Sequence, residues 1–96
     1  MASLDNPTAR ADIVNRLKRA EGQLRGVQRM ITEGEPCLDI VSQLTAVRKA
    51  LDSASVRMTV CYVGQELQAR MGLDERMGAE LGAVLDDVQT MLGKVK

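Results

Sequence analysis

The chain has 96 residues, the length of one domain, and its 13 Lys and Arg residues balance its 13 Asp and Glu residues. It contains no His, Phe or Trp and a single Tyr. The lack of His excludes Ser–His and Cys–His catalytic pairs and imidazole metal sites, and no phosphate-binding or dinucleotide-binding motif is present. Binding of nucleic acid through stacked aromatic side chains is also excluded. We therefore expect a protein that is not an enzyme.

The sequence also bears on location. No apolar run reaches the roughly 18 residues of a membrane span, and residues 1–10 lack the apolar stretch of a secretory signal. The two cysteines are therefore expected to be reduced thiols in a cytoplasmic protein with no membrane partner.

The first predicted helix begins at Asn6-Pro7-Thr8, because Asn6 is a suitable N-cap and Pro7 fits the first turn. It ends at Gly34, a residue typical of helix C-termini. Segment 1–7 is predicted to be flexible. The apolar residues of this helix alternate in steps of four and three and form one stripe: Ile13, Leu17, Ala20, Leu24, Val27 and Ile31.

The second predicted helix runs from Pro36 to about Arg70. Gly64 is its weak point, since glycine costs about 1 kcal/mol relative to alanine in a helix. Its apolar stripe has the spacing of a seam that packs against partner helices: Cys37, Ile40, Leu44, Val47, Leu51, Ala54, Met58 and Cys61.

Cys37 and Cys61 lie at opposite ends of this stripe, roughly 36 Å apart along the helix axis. They cannot meet within one helix. An antiparallel second copy that crosses near Lys49 would bring Cys37 of one subunit to Cys61 of the other. Cys37 follows Pro36 at a helix start, where backbone N–H groups stabilise a thiolate. Cys61 fits a buried small hydrophobe equally well.

Gly72 ends the second helix, and Asp74 can cap a third. No segment alternates with period two, so no sheet is expected. We predict an all-α fold in one domain, residues 1–96, with three helices per chain. Helices one and two of two subunits form an antiparallel four-helix bundle dimer, and helix three packs outside it or joins a dimer of dimers. The apolar positions of helix three are Met77, Leu81, Val84, Val88, Met91 and Val95.

The charges are unevenly placed along the chain. Residues 10–29 contain six Lys and Arg against two acidic residues, whereas residues 61–96 contain four against six. A basic helix face repeated in an oligomer can bind a phosphate backbone. On charge alone, an ordinary solvated helix surface is the favoured interpretation.

Two segments carry a family resemblance. Residues 13–31 (IVNRLKRAEGQLRGVQRMI) are similar to the first helix of the CsoR/RcnR/FrmR repressors, and residues 37–51 (CLDIVSQLTAVRKAL) to the first half of their second helix. The resemblance implies an all-helical dimer, usually assembled as a tetramer, that represses genes by binding double-stranded operator DNA without a helix-turn-helix. It also implies release of DNA when a metal, an aldehyde or a reactive sulfur species acts at an intersubunit site.

The resemblance implies a DNA-binding role for Arg16 and Lys18, which match basic positions of the family. One family arginine on helix two aligns with Ser53, so the basic surface is not copied whole. Further candidates are added by charge alone: Arg19, Arg48, Lys49 and Arg57.

The sensor positions depart from the family. Cys37 matches the family cysteine, but the positions that carry His and a second Cys in the copper sensors are Tyr62 and Glu66 here. The dithiol sulfur sensors place their second Cys at the position of Glu66 as well. Cys61 lies one residue before the His position, rotated by about 100° around the helix.

Two inducer chemistries follow. We favour a dithiol of Cys37 and Cys61 from opposite subunits that senses persulfides or oxidants. The alternative is Cu(I) bound by the thiolates, with Met58 as a thioether ligand; no other cofactor is expected. Met58 also fits a plain core position, and Tyr62 either covers the site or is a partly exposed interface ring.

Other functions stay open at this point. Aldehyde sensing needs a cysteine and a nearby amine. The chain also fits a helical oligomer that has lost its sensor and binds DNA constitutively, or a protein-interaction module with no role on DNA.

Overall fold

A computed structural model describes residues 3–94 as three helices: α1 (Pro7–Thr32), α2 (Cys37–Met71) and α3 (Glu75–Lys94). Residues 3–94 contain no strand, which confirms the predicted all-α fold. Within that range no helix is both long and apolar enough to cross a membrane. Met1 and Ala2 of the predicted flexible segment, and Val95 of the third apolar stripe, lie outside the described residues.

The helix ends follow from the predicted caps. The Asn6 side chain accepts hydrogen bonds from the backbone N–H groups of Thr8 (2.9 Å) and Ala9 (3.1 Å). Gly34 and Gly72, which follow α1 and α2, have φ of 73° and 60°. Few residues other than glycine adopt this left-handed conformation, so both glycines stop their helices. Asp74 caps α3 by accepting from the Met77 N–H at 2.8 Å.

Each of the predicted stripes of α1 and α2 divides into two rows. In α1, every seventh residue is buried against α2, namely Ile13, Ala20 and Val27. Val47 and Ala54 are the buried counterparts on α2. The alternate row remains exposed on both helices and consists of Leu17, Leu24 and Ile31 on α1 with Leu44, Leu51 and Met58 on α2.

The third helix packs on α2 and makes no close backbone contact with α1 in the described range. Gly64 lies at this contact, because a Cβ at that position would stand only 2.7 Å from Leu85 Cδ1. Across the same contact, a Cβ at Gly78 would stand 2.8 Å from Gln68 Oε1. Gly64 therefore does more than weaken α2: it lets α3 approach closely, which the helix propensity of glycine does not reveal.

The close contact at Gly64 predicts that alanine stabilises the chain less at this position than at a glycine with open space around it. Gly22→Ala, in a helix interior with open space around it, should raise the free energy of unfolding by about 1 kcal/mol. Gly64→Ala gains the same propensity but must displace Leu85, so its stabilisation should be smaller or absent. Urea unfolding at a single protein concentration measures both. Equal stabilisation by the two substitutions would contradict the proposed role of Gly64 at the α2–α3 contact.

Candidate functional site

The two cysteines occupy different environments on α2. Cys37 is the first residue of the helix and is exposed, whereas Cys61 is half-buried, and both are free thiols. Cys61 continues the row that contains Val47 and Ala54. On a straight helix, 24 residues rotate the two positions about 120° apart. The thiols of one chain therefore point toward different faces as well as lying at different ends of α2.

Cys37 shares its face of α2 with the residues at the family's metal-ligand positions. Tyr62 and Glu66 lie within about 20° of Cys37 around the helix axis, and Met58 within about 60°. Met58 is 40% and Tyr62 37% exposed. The Glu66 carboxylate is half-buried and accepts a hydrogen bond from Arg70 Nε at 3.4 Å. This surface, which we call the Cys37 face, also carries Leu44 and Leu51.

A single chain does not assemble a metal site. Among residues 3–94, no group of three or more Cys, Asp or Glu residues is placed to hold one ion. Cu(I) prefers soft sulfur donors, and in this chain these are the two cysteine thiols and the methionine thioethers. Cys37 and Met58 are separated by most of the length of α2. Any site that uses Cys37 with Met58, Tyr62 or Glu66 therefore requires a second chain.

Four of the predicted basic residues surround Ser53, at the surface where α1 lies against α2. Arg16 and Arg19 line a depression beside Ser53, and Lys49 and Arg57 line an adjoining depression on its other side. Arg16 Nη1 donates a hydrogen bond to Ser53 Oγ at 2.6 Å. Lys18 and Arg48 are exposed but line neither depression. We call the residues Arg16, Arg19, Lys49 and Arg57 the basic cluster.

An acidic residue that the sequence did not single out lies within this cluster. Asp12 Oδ2 forms an ion pair with Arg16 Nε at 3.2 Å and accepts a hydrogen bond from Arg57 Nε at 3.1 Å. The pair with Arg16 has the i,i+4 spacing that a helical sequence can reveal. The pair with Arg57 joins residues 45 positions apart and has no sequence signal.

Arg57 connects all three helices. Besides its contact with Asp12 of α1, its Nη1 donates to Gln89 Oε1 of α3 at 3.0 Å and lies 3.8 Å from Asp86 Oδ1. Since α1 and α3 lack direct backbone contacts in residues 3–94, this guanidinium is a bridge between them. Arg57 was predicted to bind DNA from its charge alone; the contacts give it a structural role.

The fold and these surfaces define a class: an all-helical chain with a large exposed apolar face, a basic cluster and an exposed cysteine at a helix start. The chain matches the family model described as "Metal-sensitive transcriptional repressor" over residues 9–94. It therefore belongs to the CsoR/RcnR/FrmR family of metal-sensitive transcriptional repressors, which are not enzymes.

The chain is similar to three copper-sensing transcriptional repressors. It is 46% identical over 43 residues to RicR of Mycobacterium tuberculosis, covering 45% of each chain. It is 44% identical over 46 residues to CsoR of Bacillus subtilis, covering 48% of this chain and 46% of the relative. It is 34% identical over 76 residues to CsoR of Mycobacterium ulcerans, covering 79% of this chain and 64% of the relative. The matches span about half the length of the first two relatives. No solved structure matches the chain.

Proposed function

We propose that this chain is a cytoplasmic, homo-oligomeric repressor that binds double-stranded operator DNA and releases it when an inducer acts at an intersubunit site containing Cys37. The observation that carries the proposal is the position of Cys37: it is exposed on the same face of α2 as the apolar row that a partner would cover. Membership of the repressor family supports the role on DNA.

The exposed apolar rows support a dimer. Leu44 is 44% and Leu51 42% exposed, and the corresponding row of α1 is exposed too. Monomeric proteins seldom leave a continuous apolar surface of this kind in water. Covering it with an antiparallel copy, crossing between Lys49 and Asp52, would bring Cys37 toward Tyr62 and Glu66 of the partner subunit. A second exposed apolar row on α3 supports association of two dimers: Met77, Val84, Val88 and Met91.

A charge placed on each apolar row should separate these two levels of assembly. Leu51→Glu buries a carboxylate in the proposed dimer interface and should give a monomer, because an unpaired buried charge is strongly unfavourable. Val84→Glu should leave the dimer and prevent only the tetramer. Light scattering coupled to size-exclusion chromatography measures the masses, and circular dichroism checks helix content. An unchanged mass for Leu51→Glu would contradict the antiparallel bundle.

The basic cluster supports DNA binding through phosphate contacts. Asp12 already pairs with Arg16 and Arg57, so much of their charge is compensated within the chain. Arg19 makes no ion pair within residues 3–94, and Lys49 lies at the rim of the adjoining depression. We therefore assign the main phosphate contacts to Arg19 and Lys49, with Lys18 and Arg48 as further exposed candidates.

Removing one of these charges should weaken DNA binding and its salt dependence together. Arg19→Ala and Lys49→Ala should each weaken binding to DNA from upstream of the chain's own gene about threefold to tenfold, and each should reduce the slope of log affinity against log salt by about 1. Fluorescence anisotropy over a salt series provides both quantities. Arg76→Ala is the matched control, since Arg76 is an 88% exposed arginine of α3. Equal losses in the control would contradict the assignment.

The comparisons favour Cu(I) as the inducer, since all three relatives are named as copper-sensing. The donor set gives partial support. Thiolate and thioether are the ligands that Cu(I) prefers, and Cys37 and Met58 can supply them from two subunits. Tyr62 and Glu66 offer oxygen atoms, which are poor ligands for this ion. We therefore propose Cys37 and the partner's Met58 as the ligands.

A second candidate, thiol chemistry, is supported by Cys61, which gives the chain a second free thiol although Glu66 stands where the dithiol sensors carry theirs. The Cys37 thiolate would attack a persulfide or peroxide, and the Cys61 thiolate of the partner would then displace the leaving group. The product is a disulfide, and the oxidant takes up the two electrons. The half-buried position of Cys61, away from the Cys37 face, requires it to rotate or unpack before the two sulfurs meet.

Three substitutions distinguish the two inducers. Cys37→Ser should abolish release of DNA by both Cu(I) and a persulfide donor. Met58→Leu, which conserves volume, should weaken only the copper response by about tenfold or more, and Cys61→Ser should remove only the persulfide response. Anisotropy of labelled operator DNA measures release. An unchanged copper response in Cys37→Ser would contradict the copper site, and wild-type protein that ignores both inducers would indicate a chain without a working sensor.

A further inference from the structure

The segment Ser3–Asn6, which we call the N-terminal arm, is bound to α2 by one side chain. The Asp5 backbone N–H donates to Gln65 Oε1 at 2.9 Å. In return, Gln65 Nε2 donates to the Ser3 carbonyl oxygen at 2.7 Å. One amide group thus satisfies a donor and an acceptor of the arm at once, as a neighbouring strand would. The arm is held in place by this pair of hydrogen bonds.

The other end of the arm is fixed by the helix cap. Asn6 has extended backbone angles, φ −70° and ψ 117°, and its side chain binds the first turn of α1. The chain therefore leaves α1 in a defined direction, toward the surface that α2 and α3 form together. Leu4, between the two residues that Gln65 binds, is half-buried.

The arm forms one wall of a groove of about 550 Å³. Leu4 and Asp5 lie on this wall, and Cys61 lies on the α2 wall, one helical turn before Gln65. Leu81 and Leu85 of α3 form the opposite side. Cys61 is half-buried, while Cys37 is exposed.

From this arrangement we infer that the N-terminal arm is a side lid that narrows the Cys61 groove, and that Gln65 is its latch. A reagent should reach the Cys61 sulfur faster once the two hydrogen bonds break and the arm moves away. Both bonds lie at the exposed surface, where water competes for the same groups. The two hydrogen bonds of Gln65 are therefore weak enough to break often. While they are formed, they should slow the reaction of the Cys61 thiol.

This inference concerns the thiol itself and holds whether or not the chain binds DNA. Under the dithiol alternative, the lid would set how quickly Cys61 responds after Cys37 has reacted. Under the copper proposal, it would keep a second soft donor away from the ion. In both cases the arm would make Cys61 react more slowly than Cys37, although the two residues are chemically identical thiols.

The test is the alkylation rate of Cys61 in the full chain. Iodoacetamide forms a carbon–sulfur bond with the thiolate and releases iodide, and mass spectrometry of peptides counts the product at each cysteine separately. Gln65→Leu keeps the bulk of the side chain but removes both hydrogen bonds. It should raise the Cys61 rate about threefold to tenfold, the effect of losing roughly one net hydrogen bond. Asp5→Pro, which removes the N–H donor from the arm side, should raise it in the same direction.

Two controls separate a lid from general loosening. Gln43→Leu removes an exposed glutamine of the same helix, at a position that does not line the groove, and should leave the Cys61 rate unchanged. The exposed Cys37 is an internal reference whose rate should be the same in every variant. An unchanged Cys61 rate in both Gln65→Leu and Asp5→Pro would overturn the inference. So would a parallel rise at Cys37 or in Gln43→Leu.

Discussion

The close packing of small side chains between α1 and α2 is the interaction on which the rest of the structure depends. Its centre contains Ala20, Val27, Val47 and Ala54, all nearly inaccessible to water. Small residues let the helix axes approach, but they fill little volume, and none of the described large side chains is fully buried. The larger leucines therefore lie outside this contact. One chain has a narrow core, and its remaining apolar surface is available for a partner.

The division of α2 into a packed face and an exposed face also determines the surroundings of the two cysteines. Because α2 is one rod of 35 residues, it fixes the positions of Cys37 and Cys61 relative to the apolar rows. Cys37 lies on the face left exposed, so under the proposed function oligomerisation and inducer binding would use the same surface. Cys61 lies with the packed row and beside the α3 contact, in a groove formed within one chain. The two thiols therefore have different surroundings: one lies on the surface left for a partner and the other is enclosed by its own chain.

The sequence predicted the helix ends because the signals are local: a cap at Asn6 or Asp74 and a glycine after each of the first two helices act within one turn. It predicted the apolar stripes but not their division, since heptad spacing does not say which row packs within the chain. Residue size carried some of that information, because the packed row consists of Ala and Val apart from Ile13, whereas the exposed row consists of Leu, Ile and Met. Three contacts depend on distant segments and left no local pattern: Gly64 with Leu85, Arg57 with Asp12, and Gln65 with the N-terminal arm.

The ion pairs around Arg57 distribute charge unevenly over the surface of a chain whose total charge is balanced. Asp12 compensates Arg16 and Arg57, which leaves Arg19 as the arginine of the basic cluster that has no ion pair within residues 3–94. Arg57 also donates a hydrogen bond to Gln89 of α3, so one guanidinium joins α3 to an acidic residue of α1. Arg57 therefore links the α3 side of the molecule to the basic cluster, although α1 and α3 make no close backbone contact within residues 3–94.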